Sequence, residues 1–524
     1  MAGILDFDSK KIIKLLDENG IKKTWMIILA SAISKKKCMQ YILEHENFNS
    51  IEPQKEDLID GLTIGEIGVL YEFSLAYFNS TDRKDKGQFF TPDDVAELMA
   101  SYSKKFPNGK WLDPCSGIGN LSWHLVNRQK NKEEFLTKNL ILADMDELAL
   151  FIARVLFTLS FQKSDKLLFH SIETNFVKFD FLSVSDNRRL TLFENGNLDL
   201  IPEHDFVIVN PPYLATSEDV KFETAKCADL YAYFLENIIK TSKCFISITP
   251  QSFTNASKFY SLRKLLIEKF SNLTIYNFDN VPDNIFHGVK FGSKNSNKAN
   301  SIRSAITIAL PEYGKHQITS LLRWQTKERK DLLNNLDSFL SNIELTADYF
   351  PKVNRIFESV FQDLKNKKTL TSIISGKKTQ YPLYIPASPR YYISALKQPV
   401  KRSSIKTVYF NTKKDRELAY IVINSSVMYW WWRVRDGGMT LSLETLHSMP
   451  LIECSIKDDI IRALEKSESV NKTYKMNAGV VQENVKHPID LISRINSYVL
   501  PKYSERLTET HSNSELNQLK FLVG

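Results

Sequence analysis

Leu112-Asp113-Pro114-Cys115-Ser116-Gly117-Ile118-Gly119-Asn120 closes a short apolar run and opens a helical pattern. Glycines at such a junction let the backbone turn tightly and approach a ligand closely. A Gly-x-Gly pair alone decides little, so the flanking sequence matters. Three further apolar runs end, like KWLD at Asp113, in a polar residue: LILAD at Asp144, FVKFD at Asp180 and FVIVN at Asn210. Their spacings are 31, 36 and 30 residues. A β-α-β unit takes about 30 residues, so the four runs read as successive parallel strands. In such sheets the ligand sits outside the carboxyl ends of the strands, the edge on which all four polar residues fall. Polar residues also simply terminate buried strands, which explains one or two such ends better than four at regular spacing.

The pattern continues outward. Leu148, Phe151, Ile152, Val155 and Leu156 recur at helical spacing after the second run. Leu230, Tyr231, Phe234, Leu235, Ile238 and Ile239 do so after Asn210, followed by CFISIT, a helix with Phe259, Leu262, Leu265 and Leu266, then LTIYNF and SAITIAL. The expected fold class is α/β: a Rossmann-like seven-stranded sheet that ends in a hairpin. The zone before it, with Ile64, Ile67, Leu70, Tyr71 and Leu75 at helical spacing, reads as an N-terminal helical region. The expected organisation is 1–82 helical, 83–315 catalytic and 316–524 a mixed α/β C-terminal domain. Residues 292–301 (GSKNSNKANS) read as a flexible loop.

The chain has 524 residues, a net charge of +8, 43% hydrophobic and 25% charged residues. Two or three domains and an ordinary soluble character follow. The five cysteines are odd in number and form no C-x-x-C pair, which argues against a disulfide framework or structural zinc. The N-terminus is charged throughout and no apolar run is long enough to cross a bilayer, so a cytoplasmic protein with no membrane partner is expected.

Asp144 ends the second strand, where a carboxylate can accept hydrogen bonds from both hydroxyls of a ribose. A full G-x-G-x-x-G is missing, against a dinucleotide, and so is G-x-x-x-x-G-K-[ST], against a phosphate loop. A nucleoside without phosphates fits best. Upstream, Gly87-Gln88-Phe89-Phe90-Thr91-Pro92-Asp93-Asp94 reads as a helix start, with Thr91 as N-cap, Pro92 at the first helical position and acids in the first turn.

Asn210-Pro211-Pro212-Tyr213 is the sharpest motif. A chance match to [Asn/Asp/Ser]-Pro-Pro-aromatic in a chain of this length has odds of roughly one in a hundred. A rigid Pro-Pro turn after a strand is its bland explanation. Its chemistry suits an amino nitrogen whose lone pair is delocalised into a ring. The Asn side-chain oxygen and the next carbonyl can accept the two amino protons, pulling the nitrogen toward tetrahedral geometry. The prolines stiffen the loop so that the acceptors are pre-organised. Tyr213 can stack on the base. No metal is needed, and no convincing metal cluster is present.

These residues resemble the gamma class of N6-adenine DNA methyltransferases of restriction–modification systems, over about residues 83 to 315. The segment Gly87–Pro92, with Phe90, Thr91 and Pro92, is similar to the motif that holds the methionine end of S-adenosyl-L-methionine. Asp113, Pro114, Gly117 and Gly119 resemble the glycine loop. Asp144 resembles the ribose acid, with Met145 beside it in the cofactor set, and Asp180-Phe181 the pair around the cofactor adenine. Asn210 to Tyr213 resembles the catalytic loop, with Asn210 also next to the cofactor. Phe286 resembles a second aromatic that packs on the flipped base. Where this sequence has Cys115 and Ser116 the class usually has small residues such as Ala or Gly. The resemblance implies an S-adenosylmethionine-dependent methyltransferase sheet, base flipping, and double-stranded DNA as partner. A cognate restriction endonuclease or a specificity subunit is a further partner that such systems imply.

In this class the region after the catalytic domain commonly reads the DNA. Residues 376–435 hold twelve basic and two acidic side chains with interleaved tyrosines, a composition suited to phosphate and guanine contacts. Lys401, Arg402, Lys406, Lys413 and Lys414 are the candidate DNA contacts, against the alternative of a solvated basic face. Tyr429-Trp430-Trp431-Trp432 reads as packing. Three alternatives stay open: a modification subunit similar to those of type I systems, a protein-glutamine methyltransferase, and an N4-cytosine methyltransferase.

Overall fold

Each apolar run of the middle zone forms a strand in the computed structural model, which describes residues 9–78, 90–163, 166–183, 201–286, 302–312, 314–389, 392–436, 440–477 and 479–509. The strands are β1 Trp111–Asp113, β2 Leu140–Asp144, β3 Phe176–Lys178, β4 Phe206–Val209, β5 Cys244–Pro250, β6 Asn272–Phe278 and β7 Ser304–Leu310. They are seven of the nine strands of one sheet, against seven expected in all, and their order is β3-β2-β1-β4-β5-β7-β6. β1 to β5 pair in parallel, with Leu112 opposite Ile141 on one side and Val207 on the other. β7 runs antiparallel between β5 and β6. The α/β class with a mostly parallel sheet is therefore as expected. β4 is buried at every position, as a parallel strand covered on both faces must be. Strand order reverses between β1 and β4, which opens the crevice where such sheets bind ligands.

The chain divides into two compact units, residues 1–253 with 257–316, and residues 254–256 with 317–524. The helices expected as an N-terminal region thus belong to the same unit as the sheet. They are α1 Ser9–Ser34, bent at Gly20 (φ +70°), and α2 Ile64–Phe78. Next come α3 Asp93–Ser101, α4 Asn120–Asn127, α5 Glu147–Phe161, α6 Leu230–Thr241 and α7 Tyr260–Lys269. α5 starts where the Asp146 carboxylate accepts the N–H groups of Leu148 and Ala149. Its face of Ile152, Val155 and Leu156 packs into one cluster with Trp25, Met26 and Leu70 of α1 and α2. Each such aliphatic side chain is worth about 1.5–3 kcal/mol against exposure, so α1 and α2 are part of this core.

One local expectation is corrected. Pro92, not Thr91, occupies the N-cap of α3, and no side chain caps that helix. The Thr91 hydroxyl instead accepts from the Asn210 side chain, far away in sequence.

In the second unit, β8 Gln317–Leu322 pairs with β9 Leu340–Asn342, and β10 Pro382–Pro386 with β11 Ile405–Tyr409, both antiparallel. β12 Lys472–Asn477 and β13 Val480–Val485 form a hairpin. Helices α8 Lys413–Ile423, α9 Ser426–Arg435, α10 Asp458–Val470 and α11 Ile489–Val499 are the longest of this unit among the described residues. Tyr429 to Trp432 lie on α9 and are buried, with Trp431 stacked on Phe361 at 5.6 Å, so their expected packing role holds. All five cysteines are free thiols. Among the described residues no helix is long and apolar enough to cross a membrane.

Candidate cofactor-binding and catalytic site

A cavity of about 1210 Å³ opens in the first unit, and Asp113, Asp144, Asp180 and Asn210 all line it. So do Phe90, Thr91, Pro114, Gly117, Met145, Phe181, Pro211 and Pro212 of the expected set. Four stretches widely separated in sequence thus meet at one wall.

The turn after β1 explains its two glycines separately. Gly117 (φ +54°) and Gly119 (φ +86°) are both left-handed, which strains any other residue. Gly119 has a second constraint: a Cβ there would lie 2.8 Å from the Phe157 ring and 3.0 Å from Leu142. The turn directs the Gly117 N–H at Asp144 Oδ2 (2.8 Å), while the Asp146 N–H donates to Oδ1 (2.9 Å). Burial pushes the Asp144 carboxyl up, and these two N–H groups pull it back toward the charged form. Asp144 is therefore clamped by main chain on both oxygens, with lone pairs left for a ligand.

Asp113 is 1% exposed. The Ser122 hydroxyl donates to its Oδ2 (2.9 Å), and Oδ1 is buried with no hydrogen-bond partner among the described residues. Burial, with the negative charge of Asp144 adding to it, pushes this carboxyl up to about 7. Asn120 opens α4 and donates from Nδ2 to the Thr91 carbonyl (2.7 Å). Its Oδ1 is likewise buried with no partner among the described residues.

The candidate catalytic loop is tied to both flanking motifs. Asn210 Nδ2 donates to Thr91 Oγ1 (2.9 Å). The Cys115 thiol donates to the Asn210 carbonyl (3.2 Å). Burial pushes that thiol well up, so it stays a protonated donor. Tyr213 donates to the Ile248 carbonyl (2.9 Å), and its ring centre lies 6.1 Å from that of Phe286, nearly edge to face. Phe181 is buried and stacks on Phe234 at 5.4 Å.

The chain after Tyr213 is anchored on α6. Buried Glu236 accepts from the N–H groups of Glu223 (3.0 Å) and Thr224 (2.8 Å), the Thr224 hydroxyl (2.7 Å) and Lys240 Nζ (2.7 Å). The Tyr233 ring stacks on Phe222 at 4.5 Å.

Several contributors were not found from sequence. Met26, Gly68, Tyr71 and Glu72 of the N-terminal helices line the cavity. Tyr71 donates to Asp146 Oδ2 (2.7 Å), so α2 braces the turn that holds Asp144. A Cβ on Gly65 would lie 2.4 Å from the Asp93 carboxylate, and one on Gly68 2.5 Å from the Phe90 ring. That pair was a readable signal: each glycine costs a helix about 1 kcal/mol, so two of them three apart mark a close approach.

The candidate DNA contacts fare unevenly. Lys401, Lys413 and Lys414 are exposed and Lys406 is half-buried. Arg402 is turned inward, donating to Asn484 Oδ1 and to the Ser388 carbonyl. Lys397 pairs with Glu417 and Glu465, both at 2.6 Å, and Arg416 with Glu417 at 2.6 Å. Part of the basic excess is thus neutralised inside the unit. Gly87, Gln88, Phe89, Arg390, Tyr391 and residues 292–301 lie outside the described residues.

Parts of this chain are shared with known proteins. Residues 138–286 match the family described as Eco57I restriction-modification methylase. That stretch holds β2 through Phe286, and so Asp144, Asp180 and Asn210 to Tyr213. Over 213 residues the chain is 25% identical to the Type II methyltransferase M.PstI of Providencia stuartii, a match covering 38% of this chain and 40% of that relative. The chain therefore spans well under half of that relative's length. Among solved structures, a DrdV–DNA complex is similar at 14% identity and a TM-score of 0.41, covering 72% of this chain and 44% of the other. A chain of a type I R-M system is similar at 15% identity and a TM-score of 0.35, covering 57% and 60%.

Proposed function

We propose that this chain is a site-specific DNA methyltransferase that transfers a methyl group from S-adenosyl-L-methionine to N6 of an adenine flipped out of duplex DNA. The observation that carries this reading is Asn210, oriented by Thr91 and Cys115, on the wall of a cavity that also presents Asp144 and Asp113.

The cavity fits the cofactor. Asp144 fits ribose hydroxyls, being held by two backbone N–H groups that leave acceptor capacity. The buried, unpartnered Oδ1 of Asp113 fits a cationic N–H donor, and the methionine ammonium is the one cationic N–H donor this cofactor offers. Met145, Asp180 and Phe181 would flank its adenine, and Phe90 to Pro92 its methionine end. The cofactor supplies an electrophilic methyl group on a sulfonium sulfur.

The residues of the chain do the rest. Thr91 takes the nitrogen end of the Asn210 amide, so the oxygen end is the one presented as acceptor. Asn210 Oδ1 and the Pro211 carbonyl accept the two amino protons of the target base, localising its lone pair for in-line attack. Two prolines in sequence hold both acceptors in place before the reaction, so little reorganisation is needed. Tyr213 and Phe286, whose rings meet edge to face and do not line the cavity, would have to turn toward the extruded base to stack on it. On methylation the amino group sheds one proton. Neither amide oxygen is basic enough to keep it, so it passes to water.

A second reading is a modification subunit that takes its DNA specificity from a partner chain. The inward pairing of Lys397, Arg402 and Arg416 favours it, because it leaves fewer basic side chains at the surface. Long-read sequencing of DNA from cells expressing the chain alone tests both. The main reading expects N6-methyladenine in one sequence context. N4-methylcytosine, or unmodified DNA from a folded chain, overturns it, and modification only with a co-expressed specificity chain selects the second reading.

A further inference from the structure

Among the described residues, fourteen large hydrophobic side chains are exposed, and five of them fall between Val470 and Val481. This concentration is the β12–β13 hairpin and the residue leading into it. Successive residues of a strand face opposite sides, so alternate ones share a face, and Met476 pairs with Val481 while Tyr474 pairs with Glu483. Tyr474 (63% exposed), Met476 (68%) and Val481 thus share one face, and exposed Val480 lies on the other. The tip of the ribbon is wet on both faces, while Gln482 and Val485 nearer its root are buried. An isolated two-stranded hairpin is marginally stable in water, so something must hold this one.

What holds it is at its root. The Glu483 N–H donates to the Lys401 carbonyl (2.9 Å) and the Lys401 N–H to Glu483 Oε2 (2.9 Å). The Ser403 N–H donates to Gln482 Oε1 (3.0 Å), and Arg402 donates to Asn484. Lys401 and Arg402, read from sequence as candidate DNA contacts, form with Ser403 part of the clamp that holds the hairpin.

The charge around the ribbon has one sign. Lys401, Lys475 and Lys486 are exposed. The one acid of the hairpin, Glu483, is paired with Lys472 (2.8 Å) and with the Lys401 N–H. An exposed apolar ribbon with a net positive root is complementary to a polyanion that also offers apolar contacts. The major groove of B-DNA is about 12 Å wide, admits a two-stranded ribbon and exposes thymine methyl groups.

We propose that the β12–β13 hairpin enters the major groove of duplex DNA, with Tyr474 and Met476 against base edges and Lys475 and Lys401 on the backbone. The inference rests on the DNA-methyltransferase reading above. It is tested with the full chain carrying Tyr474→Ala and Met476→Ala together, and separately with Lys475→Ala. Both changes lie at an exposed tip, so an unchanged melting temperature verifies folding. The double variant should raise KM for plasmid DNA by roughly tenfold or more, with relaxed sequence context and unchanged cofactor affinity. Binding of the wild type should be displaced by the major-groove ligand methyl green and not by the minor-groove ligand netropsin. A wild type that methylates DNA alongside a double variant with unchanged KM and context overturns the hairpin's role alone. Displacement by netropsin instead of methyl green also overturns it. Normal DNA methylation by a double variant that has lost a protein partner would assign the surface to that partner. A wild type that modifies no DNA overturns the parent reading, and the hairpin's role with it.

Discussion

The two units of this chain present their functional side chains in opposite ways. In the first unit the candidate residues are walled in: Asp113 is buried, Asp144 is clamped by two N–H groups, and Asn210 is tied to Thr91 and Cys115. In the second unit the candidates split between an exposed set, Lys401, Lys413 and Lys414, and an internal set, Lys397, Arg402 and Arg416, that holds its own fold together. Chemistry on a small cavity demands fixed residues at fixed spacing. A surface that meets a polyanion demands only that enough charge be out in the water. The first kind of requirement leaves a mark in sequence that the second does not.

The sharpest way to break this contrast is at Asn210. Asn210→Ala should lower the methyl-transfer rate by roughly a hundredfold or more, because a pre-organised acceptor is lost from the transition state. Cofactor affinity by calorimetry should be nearly unchanged. Near wild-type turnover would remove Asn210 from the catalytic role and leave its bonds to Thr91 and Cys115 as packing.

Asp113 tests whether burial in the first unit is coupled to ligand. Its carboxyl is raised to about 7, so in the free protein it is protonated below that pH. A cofactor ammonium favours the carboxylate and would pull the value down again. Binding then releases a proton below about pH 7 and none well above it. Affinity for S-adenosylhomocysteine should rise with pH by up to about tenfold per unit and level off near 7. Calorimetry in buffers of different ionisation enthalpy reads the proton directly. An Asp113→Asn variant should lose the dependence, and a wild type without it would place the ammonium elsewhere.

The smallest effect is expected on the second unit's surface. Neutralising Lys401, Lys413 and Lys414 together should flatten the slope of log affinity against log salt by about 0.9 for each phosphate that is no longer neutralised. Lys397→Ala is the contrast. It breaks a mostly buried pair with Glu417, so it should lower the melting temperature and leave the salt slope alone. If Lys397→Ala changes the slope and the triple variant does not, the division into exposed and internal sets is wrong.

The same contrast governs what could be read in advance. The strands were legible because parallel strands buried on both faces are near-continuous apolar runs, and their polar ends mark the ligand edge. The cavity's deeper wall was not, because Asn120 and Tyr71 act through single hydrogen bonds between stretches far apart in sequence. Thr91 misled because Thr-Pro-Asp-Asp is a good local helix start, and a long-range bond from Asn210 outcompeted the local cap. Arg402 misled because a guanidinium that grips its own hairpin and one that grips a phosphate look alike in sequence.

The shared core of α1, α2 and α5 has a consequence for how the chain is made. The helices that end at Phe78 leave the ribosome before α5, and Ile152, Val155 and Leu156, against which Trp25, Met26 and Leu70 pack, are synthesised about 80 residues later. At about 5–20 residues per second the delay is roughly 4–16 s. Throughout that interval α1 and α2 can pack on each other, as Trp25 does on Tyr71, but the part of their apolar face that α5 covers lacks its native partner. Helices α1 and α2 therefore cannot finish folding before α5 has been made.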